Sequence, residues 1–332
     1  MANYKDVIHS DMSFIGIYKD YTPIVDEIIT KLEGTSVSGV KVGAHVSTSS
    51  KSILLNAKEF YSSLPGYDKL FRDYKSDSRN TYNFRKLRKD EVLGGETTPI
   101  PGTNNTHILF GYDNTFNDYT TAIHEYSHGI SVMLNPKHFS EVEKYCLRET
   151  DSIFMEMIGS DFTASRLGLQ KDAQNISLDI FDDNLGDATY MYSKLYMYMK
   201  TSFKWNRTNI ENYLRKCGYS DGEIDYCMNL YLKDCFHYLI SYLNAIELYL
   251  IYKQDPKAAL DICLRIVKAS DMSSSKYLEY IKSMGIDPGK NIYSYLDYLQ
   301  KKDMELGNGK RLQYKIRWFK EEVKIFKKYL WW

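Results

Sequence analysis

Two histidines four residues apart, with a glutamate beside the first, form the pattern in this sequence that is best suited to chemistry. The segment His124-Glu-Tyr-Ser-His128 is an HExxH motif. On an α-helix, residues i and i+4 share one face, so both imidazoles can bind one metal ion. Glu125 lies about 100° around the helix from His124, where it can take a proton from a metal-activated water without being a ligand. The motif predicts hydrolysis at a zinc ion with an open position for water, although imidazole ligands also accept manganese or cobalt.

A third metal ligand must come from elsewhere, and the candidates are the downstream carboxylates Glu141, Glu143, Glu149, Asp151 and Glu156. Glu149 follows His128 by 21 residues and falls in the next predicted helix, which a helix–loop–helix hairpin would return to the side of the first. Glu156 lies seven residues further, two turns along nearly the same face. A metal bound by Glu149, with Glu156 supporting a ligand, is therefore geometrically coherent. Ser152, between them, could orient a ligand or simply pack.

The elements that must position these residues are predicted to be mostly helical. One helix is predicted from Phe116 to Leu134, with an N-cap at Asn114-Thr115 and an end at Asn135-Pro136. The apolar run 107–112 before it predicts a strand, whereas 94–102, with two prolines, is typical of a loop. Further helices are predicted over 21–32, 52–64, 67–74, 142–167, 189–202, 209–216, 221–252, 256–268 and 275–284. The expected fold class is mainly α, with one small sheet beside the motif helix.

Composition narrows the classes of function. A chain of 332 residues is long enough for a large single domain or for two lobes that share a cleft. Its 43 basic residues equal its 43 acidic ones, which argues against nucleic-acid binding through a globally basic surface. No apolar run reaches the ~18 residues of a membrane span, and no signal core follows the N-terminus. Five cysteines without a CxxC pair fit reduced thiols, so a cytoplasmic location is expected.

Three segments carry a resemblance to a known family. The segment 106–128, Thr-His-Ile-Leu-Phe-Gly-Tyr-Asp-Asn-Thr-Phe-Asn-Asp-Tyr-Thr-Thr-Ala-Ile-His-Glu-Tyr-Ser-His, resembles the strand, linker and zinc helix of oligoendopeptidase F and its thimet oligopeptidase relatives. The segment Glu149-Thr-Asp-Ser-Ile-Phe-Met-Glu156 resembles that family's second zinc helix, E-x-x-S-x-x-x-E, and 255–287 is loosely similar to its C-terminal helices. The resemblance implies a helical, clamshell-like zinc peptidase of the gluzincin type. It implies Glu125 as the general base and, as zinc ligands, His124, His128 and Glu149. It also implies that Ile108–Tyr112 is an edge strand on which substrate backbone lies by β-augmentation.

The sequence departs from the family's pattern at several positions. Ser127 stands where the family usually has glycine, and Ser131 stands where it often has another histidine. The family also supplies a histidine and tyrosine hydroxyls from a later helix to the oxyanion of the tetrahedral intermediate. Tyr238 and Tyr242, one turn apart, are the candidates here, and His237 could replace the missing histidine. Family members carry a long N-terminal helical lobe, most of which this chain lacks, so an open cleft or one completed by another subunit is expected.

Three regions are expected along the chain: an N-terminal helical segment over 1–90, a zinc-binding catalytic region over 91–290, and a basic amphipathic helical extension over 291–332. Lys310 to Trp332 carries eight Lys or Arg against two Glu. Docking of this helix on the body is the plain interpretation, and a homodimer contact or a membrane-surface or other partner contact are the alternatives.

The predicted function is that of a cytosolic zinc metallopeptidase, a metalloendopeptidase or oligopeptidase, that hydrolyses short or extended peptides. Two alternatives stay open. One is a specialised protease that matures a single precursor or leader peptide. The other is a catalytically retired relative that binds peptides.

Overall fold

The structure is a computed structural model that describes residues 46–88, 94–136, 149–169, 232–269 and 274–287 and the single positions 208, 211, 212, 215 and 221, with only the backbone described over 232–240 and 274–278. The described elements are α1 (Ser50–Ser63), α2 (Tyr67–Ser76), β1 (Thr81–Lys86), β2 (Gly95–Pro99), β3 (Thr106–Tyr112), α3 (Asn117–Leu134), α4 (Thr150–Leu167), α5 (Leu232–Gln254), α6 (Pro256–Lys268) and α7 (Ser274–Ser283). The expected class, mainly α with one small sheet, is confirmed.

Helix ends follow local sequence in most places. Ser49 caps α1, because its hydroxyl accepts from the backbone N–H of Ser52 while the Ser52 hydroxyl accepts from the Ser49 N–H. Asp255 caps α6 with a single bond, because its carboxylate accepts from the N–H of Ala258 at 3.0 Å. These bonds satisfy backbone donors that have no partner within their own helix.

The start of α3 differs from the expected cap. The helix begins at Asn117, and neither Asn114 nor Thr115 caps it with a side chain. Instead, the buried carboxylate of Asp118 accepts from the backbone N–H groups of Asn114 at 2.9 Å and Thr115 at 3.1 Å. The Thr48 hydroxyl donates to the same carboxylate at 2.6 Å. The accepting carboxylate therefore belongs to a residue within α3, and it holds in place the loop that precedes this helix.

The sheet has three described strands in the order β1–β3–β2. β1 runs parallel to β3, and β2 runs antiparallel to it, with Thr97 opposite Ile108. The expectation that Ile108–Tyr112 is an edge strand is therefore wrong, because β3 is hydrogen-bonded on both sides. The expectation of a loop over 94–102 is wrong at Gly95–Pro99, which forms β2. β1 was also not predicted, although Tyr82 and Phe84 alternate with polar residues as a half-buried strand requires.

Helix α3 lies at the centre of the described fold, where it contacts α1, α2, α4, β2 and β3. Its apolar side chains, among them Ile123, Tyr126 and Ile130, belong to one continuous core with side chains of α1, α2, β3, α4, α5 and α6. Most of the circumference of α3 is thereby buried, which explains why several polar residues of the motif helix are removed from water.

Several expectations concern residues outside the described ranges. They are the helices over 21–32 and 189–202, the carboxylates Glu141 and Glu143, the extension over 291–332 and the homodimer contact through it. The three described positions of the expected helix over 209–216 are helical. The three-region division of the chain stays a prediction. Among the described helices, none is both long and apolar enough to cross a membrane.

Candidate active site

The structure brings three of the predicted metal ligands to one point. The Nε2 atom of His128 lies 2.9 Å from Oε2 of Glu149, and the Nε2 atom of His124 lies 3.2 Å from the same oxygen. His124 and His128 come from consecutive turns of α3, whereas Glu149 is the residue that immediately precedes α4. Ligand atoms of the three side chains lie within 4.8 Å of one another. His128 and Glu149 are buried, and His124 is nearly so.

Glu156 supports the first of these histidines. Its Oε2 atom lies 3.0 Å from Nδ1 of His124, and its other oxygen lies 3.5 Å from the Thr120 hydroxyl. A carboxylate that accepts from Nδ1–H leaves Nε2 unprotonated and directed at the ligand cluster, which is the arrangement found around histidines that bind metals. Ser152 supports the acidic ligand, because its hydroxyl lies 3.2 Å from Oε2 of Glu149.

The electrostatics of the cluster favour a positive charge. Burial lowers the pKa of His124, but its hydrogen bonds with Glu149 and Glu156 and their charges outweigh burial and hold the pKa well above its ordinary value. Two carboxylates therefore stabilise a cation at this imidazole. A divalent metal ion would supply that charge in place of the proton.

The donor set fits zinc. Two imidazole nitrogens and one carboxylate oxygen, all largely removed from water, match the three protein ligands of catalytic zinc sites, which leave a fourth position for water. Asp151, considered from the sequence as another ligand, is placed elsewhere. Its carboxylate accepts from the hydroxyls of Ser127 and Ser131 on α3.

The side chain of Glu125 packs against strand β2, a contact that the sequence did not predict. The Thr97 hydroxyl donates to Oε2 of Glu125 at 2.5 Å, and Gly95 packs directly against the same side chain. A Cβ added at Gly95 would lie 2.4 Å from both Cγ and Oε1 of Glu125. Only glycine admits the carboxylate in this position. The sequence contained one clue, the pair Gly94-Gly95, but it indicated a loop.

The proposed oxyanion donors lie on helix α5. Tyr242 is buried within the main core, and Tyr238 and His237 lie one turn earlier on the same helix, where only the backbone is described. Their assignment as oxyanion donors stays a prediction.

No protein-family model matches the chain, and no curated protein matches it. Solved structures do share its fold. A structure described as an oligoendopeptidase F aligns with 91% of this chain at 14% identity and a TM-score of 0.54, and one from Bacillus anthracis str. Ames aligns with 92% at 15% identity and a TM-score of 0.54. A structure of PZ peptidase A with an inhibitor aligns with 90% at 14% identity and a TM-score of 0.55.

Fold and site together define a helical protein with a His, His, Glu cluster of metal-binding type between two packed helices. More particularly, the chain has an oligoendopeptidase F-like fold, as the two zinc-helix segments led us to expect. The chain spans 58%, 56% and 59% of the three structures, less than two thirds of each.

Proposed function

We propose that this chain is a zinc-dependent peptidase in which His124, His128 and Glu149 hold the metal and Glu125 is the general base. The observation that carries the proposal is the convergence of two imidazole nitrogens and a carboxylate oxygen within 4.8 Å, beside a glutamate held separately by a neighbouring strand. The peptidase names of the structures that share the fold support the same reaction class.

Each residue then has a distinct task. Bound zinc would polarise the scissile carbonyl and lower the pKa of water towards 7. Glu125 takes the proton of the attacking water and returns it to the nitrogen of the leaving amine, so no covalent intermediate forms. Thr97 and Gly95 fix the orientation of that carboxylate, and Glu156 and Ser152 fix His124 and Glu149. Oxyanion donors would come from Tyr238 or Tyr242.

The substrate would lie along the outer edge of β2. Among the described strands, β2 is paired only with β3, so its other edge can accept an extended peptide by β-augmentation. Because Thr97 of this strand contacts Glu125, a peptide on that edge passes beside the general base. Backbone pairing favours extended peptides of varied sequence, since it reads no side chain.

The test is a mass-spectrometric digest of a mixed peptide pool with wild type and Glu125→Gln, each with its bound metal quantified. We expect about one zinc per chain in both proteins and cleavage by the wild type alone, with a loss of at least about 100-fold in the variant. Glu279→Gln, at an exposed position of α7, is the matched control and should cleave as the wild type does.

Other outcomes separate the alternatives. A metal-loaded wild type that cleaves no peptide of the pool would favour a dedicated precursor substrate or a peptide-binding role. A wild type that binds no metal would overturn the proposal.

A further inference from the structure

The two serines that distinguish this chain from the family's pattern share one partner. Asp151 accepts a hydrogen bond from the Ser127 hydroxyl at 3.0 Å and from the Ser131 hydroxyl at 2.5 Å. Ser127 and Ser131 are four residues apart on α3, so they lie on one face, and both hydroxyls reach a single carboxylate oxygen on α4. The three side chains, called here the Ser–Asp–Ser bridge, are all buried.

The bridge joins the two helices at the level of the metal ligands. Ser127 directly precedes His128, and Asp151 follows Glu149 by two residues. Helices α3 and α4 are thus joined by two sets of contacts within one helical turn, one in the ligand cluster and one in the Ser–Asp–Ser bridge. Glu149 and Asp151 therefore hold the start of α4 against α3 through two separate sets of contacts.

The surroundings of Asp151 make the serine hydroxyls important for holding its carboxylate. Burial raises the pKa values of Tyr61, Tyr67 and Cys263, and the negative charge of Asp151 raises each of them further. These groups therefore stay protonated at physiological pH and add no second negative charge beside the carboxylate. A buried carboxylate is costly unless hydrogen bonds replace the lost water, and its place in the first turn of α4 adds the favourable helix dipole.

We propose that Asp151 is a positioning residue that, through Ser127 and Ser131, sets the spacing between the HExxH helix and the third metal ligand. It touches neither metal nor substrate and acts by fixing where Glu149 stands relative to His128. The inference rests on the proposed metal site, and it deepens that proposal by assigning a role to two residues at which the chain departs from the family's pattern.

The test compares zinc affinity across variants, measured by competition with a chromophoric chelator, together with the melting temperature of the metal-free protein. We expect Asp151→Ala to weaken zinc binding by about 10- to 100-fold, as loss of a residue that supports a ligand typically does. Asp151→Asn keeps an acceptor oxygen and should restore the affinity to within about threefold.

Asp161→Ala is the matched control on the same helix. The carboxylate of Asp161 ties α4 to α5 instead of α3, accepting from the Tyr249 hydroxyl at 2.8 Å and from Lys253. Its removal should lower the melting temperature but leave the zinc affinity within about threefold of wild type. If Asp151 had only a structural role, Asp151→Ala would behave like Asp161→Ala: its melting temperature would fall, but its zinc affinity would stay close to that of the wild type.

A second pair covers the case in which Asp151→Ala does not fold. Ser131→Ala removes one bond of the bridge, whereas Ser160→Ala removes a buried hydroxyl that has no hydrogen-bond partner among the described residues. We expect roughly threefold to tenfold weaker zinc binding in the first and no change in the second.

The outcomes separate this proposal from the proposed function. Unchanged zinc affinity in Asp151→Ala, or in Ser131→Ala, would overturn the positioning role and leave the metal site intact. Weakened affinity in a protein whose wild type cleaves no peptide of the pool would support the positioning role and count against hydrolysis of varied peptides. A wild type that binds no zinc would overturn both.

Discussion

The contact between Gly95 and Glu125 yields a sharp prediction, because one methyl group tests the placement of the proposed general base. A Cβ at Gly95 would lie 2.4 Å from Cγ and Oε1 of Glu125, about 1 Å closer than carbon contacts allow. The backbone of β2 is hydrogen-bonded to β3, whereas the end of the glutamate side chain can rotate. We therefore expect Gly95→Ala to displace the carboxylate by roughly 1 Å, which costs about 100-fold in kcat/KM.

The assay is steady-state cleavage of a peptide that the wild type hydrolyses, with zinc content measured in parallel. Gly94→Ala is the matched control, because a Cβ at Gly94 meets no atom within 4 Å. It should retain near wild-type activity. Both variants should hold zinc as the wild type does, since neither glycine belongs to the ligand cluster.

A double-mutant cycle tests whether Gly95→Ala affects activity only through Glu125. If Gly95→Ala acts only through the base, adding it to Glu125→Gln should cause no further loss of activity. Equal activity of Gly95→Ala and Gly94→Ala would refute the reasoning, and so would a full additional loss in the double variant.

Three further predictions follow from the site. Thr97→Val removes the hydroxyl that donates to Glu125 and keeps the side chain about the same size. We expect kcat/KM to fall about tenfold while the zinc content stays that of the wild type. Full activity of this variant would contradict the assigned hydrogen bond. Zinc affinity should fall as pH falls below the raised pKa of His124, by up to about tenfold per pH unit, because a proton then competes with the metal for this imidazole. A chelator competition series that shows no pH dependence would contradict this. Gly129→Ala should lower the free energy of unfolding by about 1–3 kcal/mol, because a Cβ at this position would lie 2.3 Å from the ring of Tyr74. A denaturant titration measures this change, and unaltered stability would show that the ring of Tyr74 can move aside.

Local patterns predicted the helices that carry the proposed ligands. The motif helix was expected over 116–134 and is found over Asn117–Leu134, since apolar spacing and the Asn135-Pro136 stop are properties of neighbouring residues. The i, i+4 spacing of His124 and His128 likewise places both imidazoles on one face whatever the rest of the chain does. Glu149 and Glu156 were predictable because both face the first helix once the two helices pack.

Strand pairing was not predictable from the same patterns. β2 contains two threonines, a glutamate and a proline beside a glycine pair, a composition typical of a loop, and it becomes a strand because β3 offers it a hydrogen-bonding edge. The edge strand had instead been assigned to 108–112 from the family resemblance, and the contact between β2 and Glu125 was not predicted. No local pattern reveals that Gly95 must admit a side chain from 30 residues away.

The sequence by itself determined which residues are available for chemistry: an HExxH motif, a carboxylate pair seven residues apart and the helices that present them are all encoded within short segments. Only the tertiary structure decided how that chemistry is held in place. Thr97 bonds to Glu125 across 28 residues, and Asp151 bonds to Ser127 across 24. Such contacts depend on the packing of one element against another, and packing distances arise from the whole core, so no spacing along the chain encodes them.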